Sequence, residues 1–361
     1  DTTAPLFSSA ATAEAIDENS GAGQRIYTAA ATDDTSVTYS LKAGNNDDAA
    51  SFSIDAATGD VTLLIDPDYE TQSAYAFSVV ATDAVGNSSE QAVALAIHDL
   101  DEVSLNLNGS SIAAPLSAYD PAQDLIGSAS LSDQNTTLTL SGNTWKKVEI
   151  GGYEITSKTI LSFSFSSSSE GEIHGIGFDN DNNINNSSNN AFQLSGWQNV
   201  WGLQTYKTYI TGSDPQSFEI PVGESFSGTF QYLTFINDDD AANTPNPLAT
   251  GTFSNIRLFE DTTAPLFSSA ATAEAIDENS GAGQRIYTAA ATDDTSVTYS
   301  LKAGNNDDAA SFSIDAATGD VTLLIDPDYE TQSAYAFSVV ATDAVGNSSE
   351  QAVALAIHDL D

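Results

Sequence analysis

The chain has 361 residues, with 51 Asp and Glu against nine Lys and Arg, and a net charge of -42. Phosphate backbones and anionic lipid surfaces need clustered cations for binding and would repel such a chain, which excludes nucleic acid and membrane surfaces as partners. It has no Cys and no Met, so neither disulfides nor thiol-bound metals hold it together, yet 40% of its residues are hydrophobic, too many for a chain kept disordered by charge.

Asp1 to Asp101 recur unchanged as Asp261 to Asp361. Three modules are therefore expected, at 1–101, 102–260 and 261–361, each long enough to bury its own core. The second junction reads LFE-DTTAPLF and the chain itself begins DTTAPLF. This predicts a parent protein that repeats the whole 260-residue unit, with targeting signals outside the present stretch. With no long apolar run and no lipidation motif, no membrane insertion is expected within this segment.

In the repeated module, alternating stretches at SVTYSL (Ser36 to Leu41), FSID (Phe52 to Asp55), GDVTLL (Gly59 to Leu64), YAFSVVATD (Tyr75 to Asp83) and QAVALAIHD (Gln91 to Asp99) predict strands. Turn chemistry separates them, in AATGD, DPDYE and DAVGNSS. About seven strands in roughly 100 residues predict a Greek-key, immunoglobulin-like β-sandwich. The acids fall at strand ends: Asp17-Glu18-Asn19, Asp33-Asp34, Asp66 to Glu70, Asp83 with Asn87, and Asp99 with Asp101. Strand ends gather at the two poles of a sandwich, so carboxylates far apart in sequence can converge there on one hard divalent cation such as Ca²⁺. The competing reading is a solvated acidic surface.

With the pieces DEN (Asp17 to Asn19), DYE (Asp68 to Glu70), ATDAVGN (Ala81 to Asn87) and the linker HDLDE (His98 to Glu102), both copies resemble the cadherin-like repeats of bacterial surface proteins. That resemblance implies calcium held by Glu18, Glu70, Asp99 and Asp101, with Asp33, Asp34 and Asp83 as further candidates, and by Glu278, Glu330 and Asp343 in the last copy. The adjacent acids of ATDDTS depart from the family's spaced pattern, which sets Asp33 and Asp34 apart from the rest. An ion joining an exit linker to loops on either side would stiffen an otherwise flexible joint.

Alternation continues through the middle module in VSLNLNG, TTLTLSG, ILSFSFSS, EIHGIGFD, QSFEIPVG, FQYLTFIN and FSNIRLFE, with no helix-period segment. A larger, jelly-roll-like β-sandwich is expected, so the chain as a whole is all-β. All three Trp residues lie here, at Trp145, Trp197 and Trp201, with Tyr206 and Tyr209 close behind. Aromatic faces beside Asn, Asp and Gln suit the C–H face and hydroxyl fringe of a sugar ring, although any one Trp is more often core. The runs GFDNDNNINN (Gly177 to Asn186) and FINDDDAANT (Phe235 to Thr244) suggest a second cation site from Asp179, Asp181, Asp238, Asp239 and Asp240. An EF-hand is excluded, since the spaced Gly and terminal Glu are missing.

EIHGIGFDNDN, the Trp-Gly segment, EIPVG, NDDDA and FSNIRLFE together resemble non-catalytic, calcium-dependent carbohydrate-binding modules. The resemblance implies Trp197, Trp201 and Tyr206 as the contacts to a polysaccharide or cell-surface glycan. His174 is the only His outside the repeats, and no GxSxG, HExxH or phosphate loop appears, so no enzyme is expected. The expected whole is an extracellular or cell-surface adhesin segment in which Ca²⁺-stiffened repeats present a glycan-binding sandwich. Two alternatives stand beside it: a purely structural fibre that associates with further copies of itself, and a calcium-dependent peptide-binding adhesin domain.

Overall fold

The computed structural model describes every residue except 43, 45–47, 185–188, 200, 241–247, 303, 305–307 and 361. The far ends of both acidic runs of the middle module, 185–186 and 241–244, therefore lie outside the described residues. Two compact units account for the chain, Asp1–Glu102 and Val103–Asp361, so the middle module and the last repeat share one unit.

In the first unit, alternation dictates which face of each strand is buried. Ala74–Thr82 and Ser88–His98 pair antiparallel in full register from Ala74↔Ala96 to Thr82↔Ser88, and Thr38–Leu41 adds to the outer side. Ile16–Asp17 joins the other edge in parallel, through Ile16↔Ile97 and Asp17↔His98. A second sheet of Gln24–Thr28, Asp60–Leu63 and Phe52–Ile54 closes over the first. Every second side chain points inward, and Val61, Leu63, Phe77, Val79 and Leu95 are almost fully excluded from solvent. Phe52 packs on Phe77 with ring centroids 4.6 Å apart. The last repeat builds the same two sheets from the same residues 260 positions later. Thus the alternating segments form the expected strands, and the fold is an all-β tandem of sandwiches.

Gly59 is a turn position in the repeat where glycine is obligatory on two counts. Its φ is +74°, and a Cβ there would stand 2.4 Å from the Ala29 carbonyl oxygen. The turn between Phe52–Ile54 and Asp60–Leu63 can close only on a residue without a side chain.

The middle module is also β throughout its described length. Its core carries the long strand Thr137–Ile155, which changes partners along its course. Its first residues pair with Thr250–Glu260, from Thr137↔Ser254 to Ser141↔Thr250, and the rest with Gly228–Asp238, from Thr144↔Asn237 to Ile155↔Gly228. One strand therefore ties two pairing layers together: Thr250–Glu260 extends to Thr159–Ser169 and Gln216–Pro221, while Gly228–Asp238 extends to Ile173–Asp179 and Ala191–Ser195. Phe163, Phe165, Phe178, Phe192, Phe235 and Phe253 fill the space between. Among the described residues no helix is long and apolar enough to cross a membrane.

His174 lies in the strand Ile173–Asp179 and is fully buried. Its Nε2 accepts from the Gly171 N–H at 3.0 Å, which requires a neutral ring. Burial holds its pKa down to about 4 from an ordinary 6.5. Because the folded value is depressed, the unfolded chain takes up the proton first as pH falls through 6.5. The neutral ring's contribution is complete above that pH and is lost progressively towards pH 4, amounting to about 3 kcal/mol at 1.36 kcal/mol per unit. Urea melts of the wild type and of His174→Gln between pH 7.5 and 4.5 should converge as the pH drops, and a constant gap across that range would refute this account.

Candidate functional site

Each repeat carries acids at both poles, and the strands bring them together in threes. In the first repeat, Glu18, Asp68 and Glu70 place one carboxylate oxygen each within 4.8 Å of one another. Glu18 is 1% exposed and is held by the backbone: its Oε1 accepts from Leu100 N at 2.6 Å and its Oε2 from Tyr69 N at 2.7 Å. These bonds tie three stretches of chain to one carboxylate. Asn19, in the left-handed region at φ 53°, swings the next side chain onto Glu102.

Like charges accumulate at this pole. Burial raises the Glu70 pKa, and the nearby Glu18 and Asp99 raise it further. Burial pushes Glu102 up to about 7, reinforced by Glu18, Glu70 and Asp68. The arrangement thus unites Glu18 and Glu70 and sets Asp99 close enough to act on Glu70. Asp101 is exposed, and no group of three acids among the described residues includes it. Asp68 and Glu102 carry no separate signal in the sequence, although both stand inside the DYE and HDLDE pieces. In the last repeat, Glu278, Asp328 and Glu330 form the corresponding group. The N–H groups of Leu360 and Tyr329 lower the Glu278 pKa.

The opposite pole gathers Asp1, Asp33 and Asp83 within the same 4.8 Å limit. Asp83 is organised by the turn that follows it. Its Oδ1 accepts from the N–H groups of Val85, Gly86 and Asn87 at 2.9, 2.6 and 2.8 Å, and its Oδ2 from Asn87 Nδ2 at 2.7 Å. Burial opposes the charge, but these donors, Asn87 foremost, leave its pKa lowered. Asp34 is exposed and outside this group. Asp1 supplies the third carboxylate, a residue that strand-end reasoning does not reach. The last repeat repeats the arrangement with Asp261, Asp293 and Asp343. There burial raises the Asp293 pKa, with Asp261 and Asp343 adding to it.

The middle module groups Glu172, Asp238 and Asp240. Glu172 Oε1 accepts from Gln198 Nε2 at 2.6 Å and Oε2 from Asp240 N at 2.9 Å. Asp238 Oδ1 accepts from the Trp145 indole N–H at 3.3 Å. Burial, with Asp240 and Glu172 nearby, pushes the Asp238 pKa up to about 7. Asp239 serves the loop instead, since its Oδ2 accepts from Leu248 N and Ala249 N at 2.8 and 3.0 Å. Asp179 and Asp181 stand apart from this group. Ile173 pairs with Asp238 and Asp179 with Tyr232, so Asp238 and Asp179 occupy opposite ends of the pairing, about 20 Å apart at the usual rise per residue. Asp179 accepts from the Tyr119 hydroxyl, and Asp181 from Asn183 N at 2.9 Å. Glu172 has no distinguishing signal in the sequence beyond its place before a strand.

The three aromatic candidates differ in setting. Gly196, at φ +111°, brings the loop so close to Glu172 that a Cβ would stand 2.3 Å from its carbonyl oxygen. Trp197 follows on that loop, 57% exposed, its N–H on the Gly171 carbonyl at 3.2 Å. Trp201 is half-buried and meets Trp145 edge to face at 5.5 Å. Trp145, Trp201, Gln123, Gln198, Asp238 and Asp240 line an open cavity of about 260 Å³. Tyr206 packs edge-on against Phe192 at 5.6 Å and belongs to the margin of the core.

Carboxylate oxygens in groups of three are a hard donor set, fitting Ca²⁺ rather than a soft metal. Among the described residues these groups are built from acids alone, with His and Cys absent from all of them.

Comparison with known proteins bears on the repeats. The chain is 27% identical to human protocadherin beta-1 over 136 residues, which is 36% of this chain and 17% of that protein. It thus spans under a fifth of that relative's length. Among solved structures, mouse cadherin-23 EC22-24 aligns over 99% of both chains with 18% identity and a TM-score of 0.26. Protocadherin gamma B2 extracellular cadherin domains 1-5 align over 99% of this chain and 60% of that one, with 16% identity and a TM-score of 0.27. The cadherin domain model matches residues 12–98 and 272–358, so the chain carries two cadherin domains.

Proposed function

We propose that this chain is a non-catalytic adhesion segment of an extracellular or cell-surface protein, in which calcium at the poles of the two cadherin domains orders the repeats and the middle module binds glycan. One observation carries the reading: each cadherin domain converges three carboxylates at either pole, on side chains already fixed by backbone donors. In the first repeat Glu18, Asp68 and Glu70, with Asp99 and Glu102 beside them, would hold one ion, and Asp1, Asp33 and Asp83 another. When bound, the cation supplies the positive charge that these carboxylates lack. The match of both repeats to the cadherin domain favours the extracellular setting.

Extracellular calcium modules bind at about 10⁻⁴ to 10⁻³ M, so roughly 10 mM calcium should add on the order of 1–3 kcal/mol per site. Thermal melts in calcium and in EDTA measure this directly. Replacing Glu70 and Glu330 with Gln relieves like-charge crowding, so the double variant should melt higher than the wild type in EDTA and gain less from calcium. Unchanged melting of the wild type on chelation would sink the calcium reading.

In the middle module exposed Trp197 lies on the loop whose backbone bonds the Gly171 carbonyl, one residue before Glu172. An aromatic face next to a cluster of acceptors favours a sugar ring, with polysaccharide or cell-surface glycan as the partner. A glycan array should give a signal that EDTA reduces and that Trp197→Ala abolishes while leaving the melting temperature unchanged, since this ring buries little surface. The second reading, a structural fibre, draws on the half-buried state of Trp201 and the core packing of Tyr206. Silence across plant, algal and bacterial glycans would favour it.

A further inference from the structure

In the last repeat the pole that carries Asp261, Asp293 and Asp343 is covered. Asp261 is 2% exposed, Thr295 is buried and Val345 half-buried. The covering surface comes from the middle module, at the turn between Thr137–Ile155 and Thr159–Ser169 and at the strand Gln216–Pro221.

Lys158 lies at that turn. Its Nζ donates to the Val345 carbonyl at 2.9 Å and to Asn347 Oδ1 at 2.7 Å, while its own carbonyl accepts from Asp261 N at 2.9 Å. Across the joint, Glu219 Oε1 accepts from the Ser296 N–H and hydroxyl at 2.9 and 2.8 Å. A cation thus grips one loop of the repeat and an anion the other, and both are charge-assisted bonds, the stronger kind. The grip extends to the acid pole through Asn347. With its oxygen turned to Lys158, its amide nitrogen donates to Asp343 Oδ2 at 2.6 Å and to the Asp261 carbonyl at 3.0 Å. The corresponding bond from Asn87 to the Asp1 carbonyl in the first repeat is 3.5 Å long. Thr295 Oγ1 also reaches Asp261 Oδ2 at 3.0 Å.

We propose that Lys158 and Glu219 form a socket for the pole of the 101-residue repeat, fixing the middle module to the repeat that follows it without a metal ion. The proposal goes beyond the calcium reading, in which the ion alone orders a joint. One of the few cations in the chain stands where it both bonds the docked loop and places positive charge beside the Asp261, Asp293 and Asp343 group. Its partner is specific in chemistry: a backbone carbonyl and an amide oxygen on one loop, a serine N–H and hydroxyl on the other.

The absence of native cysteine permits clean spin labelling. Labels on Asp214→Cys and Ala317→Cys, both exposed, report the distance between the two domains by double electron–electron resonance. Every arm is run in EDTA, so the result is independent of whether the poles hold calcium. The otherwise wild-type chain should give one narrow distance peak. Lys158→Met and Glu219→Gln together should lose that peak to a broad distribution, with Glu219→Gln alone intermediate and both domains melting as before. A broad distribution in the otherwise wild-type chain, or a narrow one in the double variant, would overturn the proposal.

Discussion

Carboxylates crowded at the ends of strands are the constraint on which the rest of this molecule turns. A β-sandwich delivers all its strand ends to two poles, and here those ends carry acids. Backbone N–H groups fix several of the carboxylates in place, as Tyr69 and Leu100 do for Glu18 and the turn after Asp83 does for Asp83. Donors of this kind hold a charge in position without cancelling it. The repulsion appears in Glu102 and Asp238, both with pKa values pushed up to about 7 by burial first and neighbouring acids second.

Two kinds of positive charge can relieve such crowding. A divalent ion brings two positive charges and several coordination positions, matching three convergent carboxylates. A lysine brings one charge on a long stem and three donors, and those of Lys158 go to a carbonyl and an amide oxygen beside the acid group. Next to Lys158 the pole of the last repeat is covered by the middle module.

Alternation makes the strands legible in the sequence itself, since period-two patterning needs only the next few residues. The acid clusters are half legible. Glu18, Glu70, Asp83 and their counterparts stand out at strand ends, and the fold gathers them into groups. Which acids share a group depends on register across the sheet, a long-range property. Asp179 and Asp238 look like natural partners in sequence, but antiparallel pairing of their strands sends them to opposite ends. Glu172 joins Asp238 and Asp240 for the same reason. The aromatics divide on packing: Trp197 follows a glycine that turns the loop outward, whereas Tyr206 finds Phe192. Lys158 carries no pattern at all, because its role exists only where two domains meet.

The parallel pairing of Ile16–Asp17 with residues 97–98, together with the bridge from Thr12 to Ala94, has a mechanical consequence. The segment that leads into Glu18 and the last strand of the repeat run side by side in the same direction, so tension drawn across this pairing slides one past the other. Their hydrogen bonds are strained in shear and must yield together instead of unzipping one at a time. Glu18 lies immediately beyond this seam and grips Leu100 on the segment that leaves the last strand. A pull on the departing segment therefore loads the Glu18–Leu100 bond together with the seam, so whatever tightens Glu18 adds to the force the domain withstands.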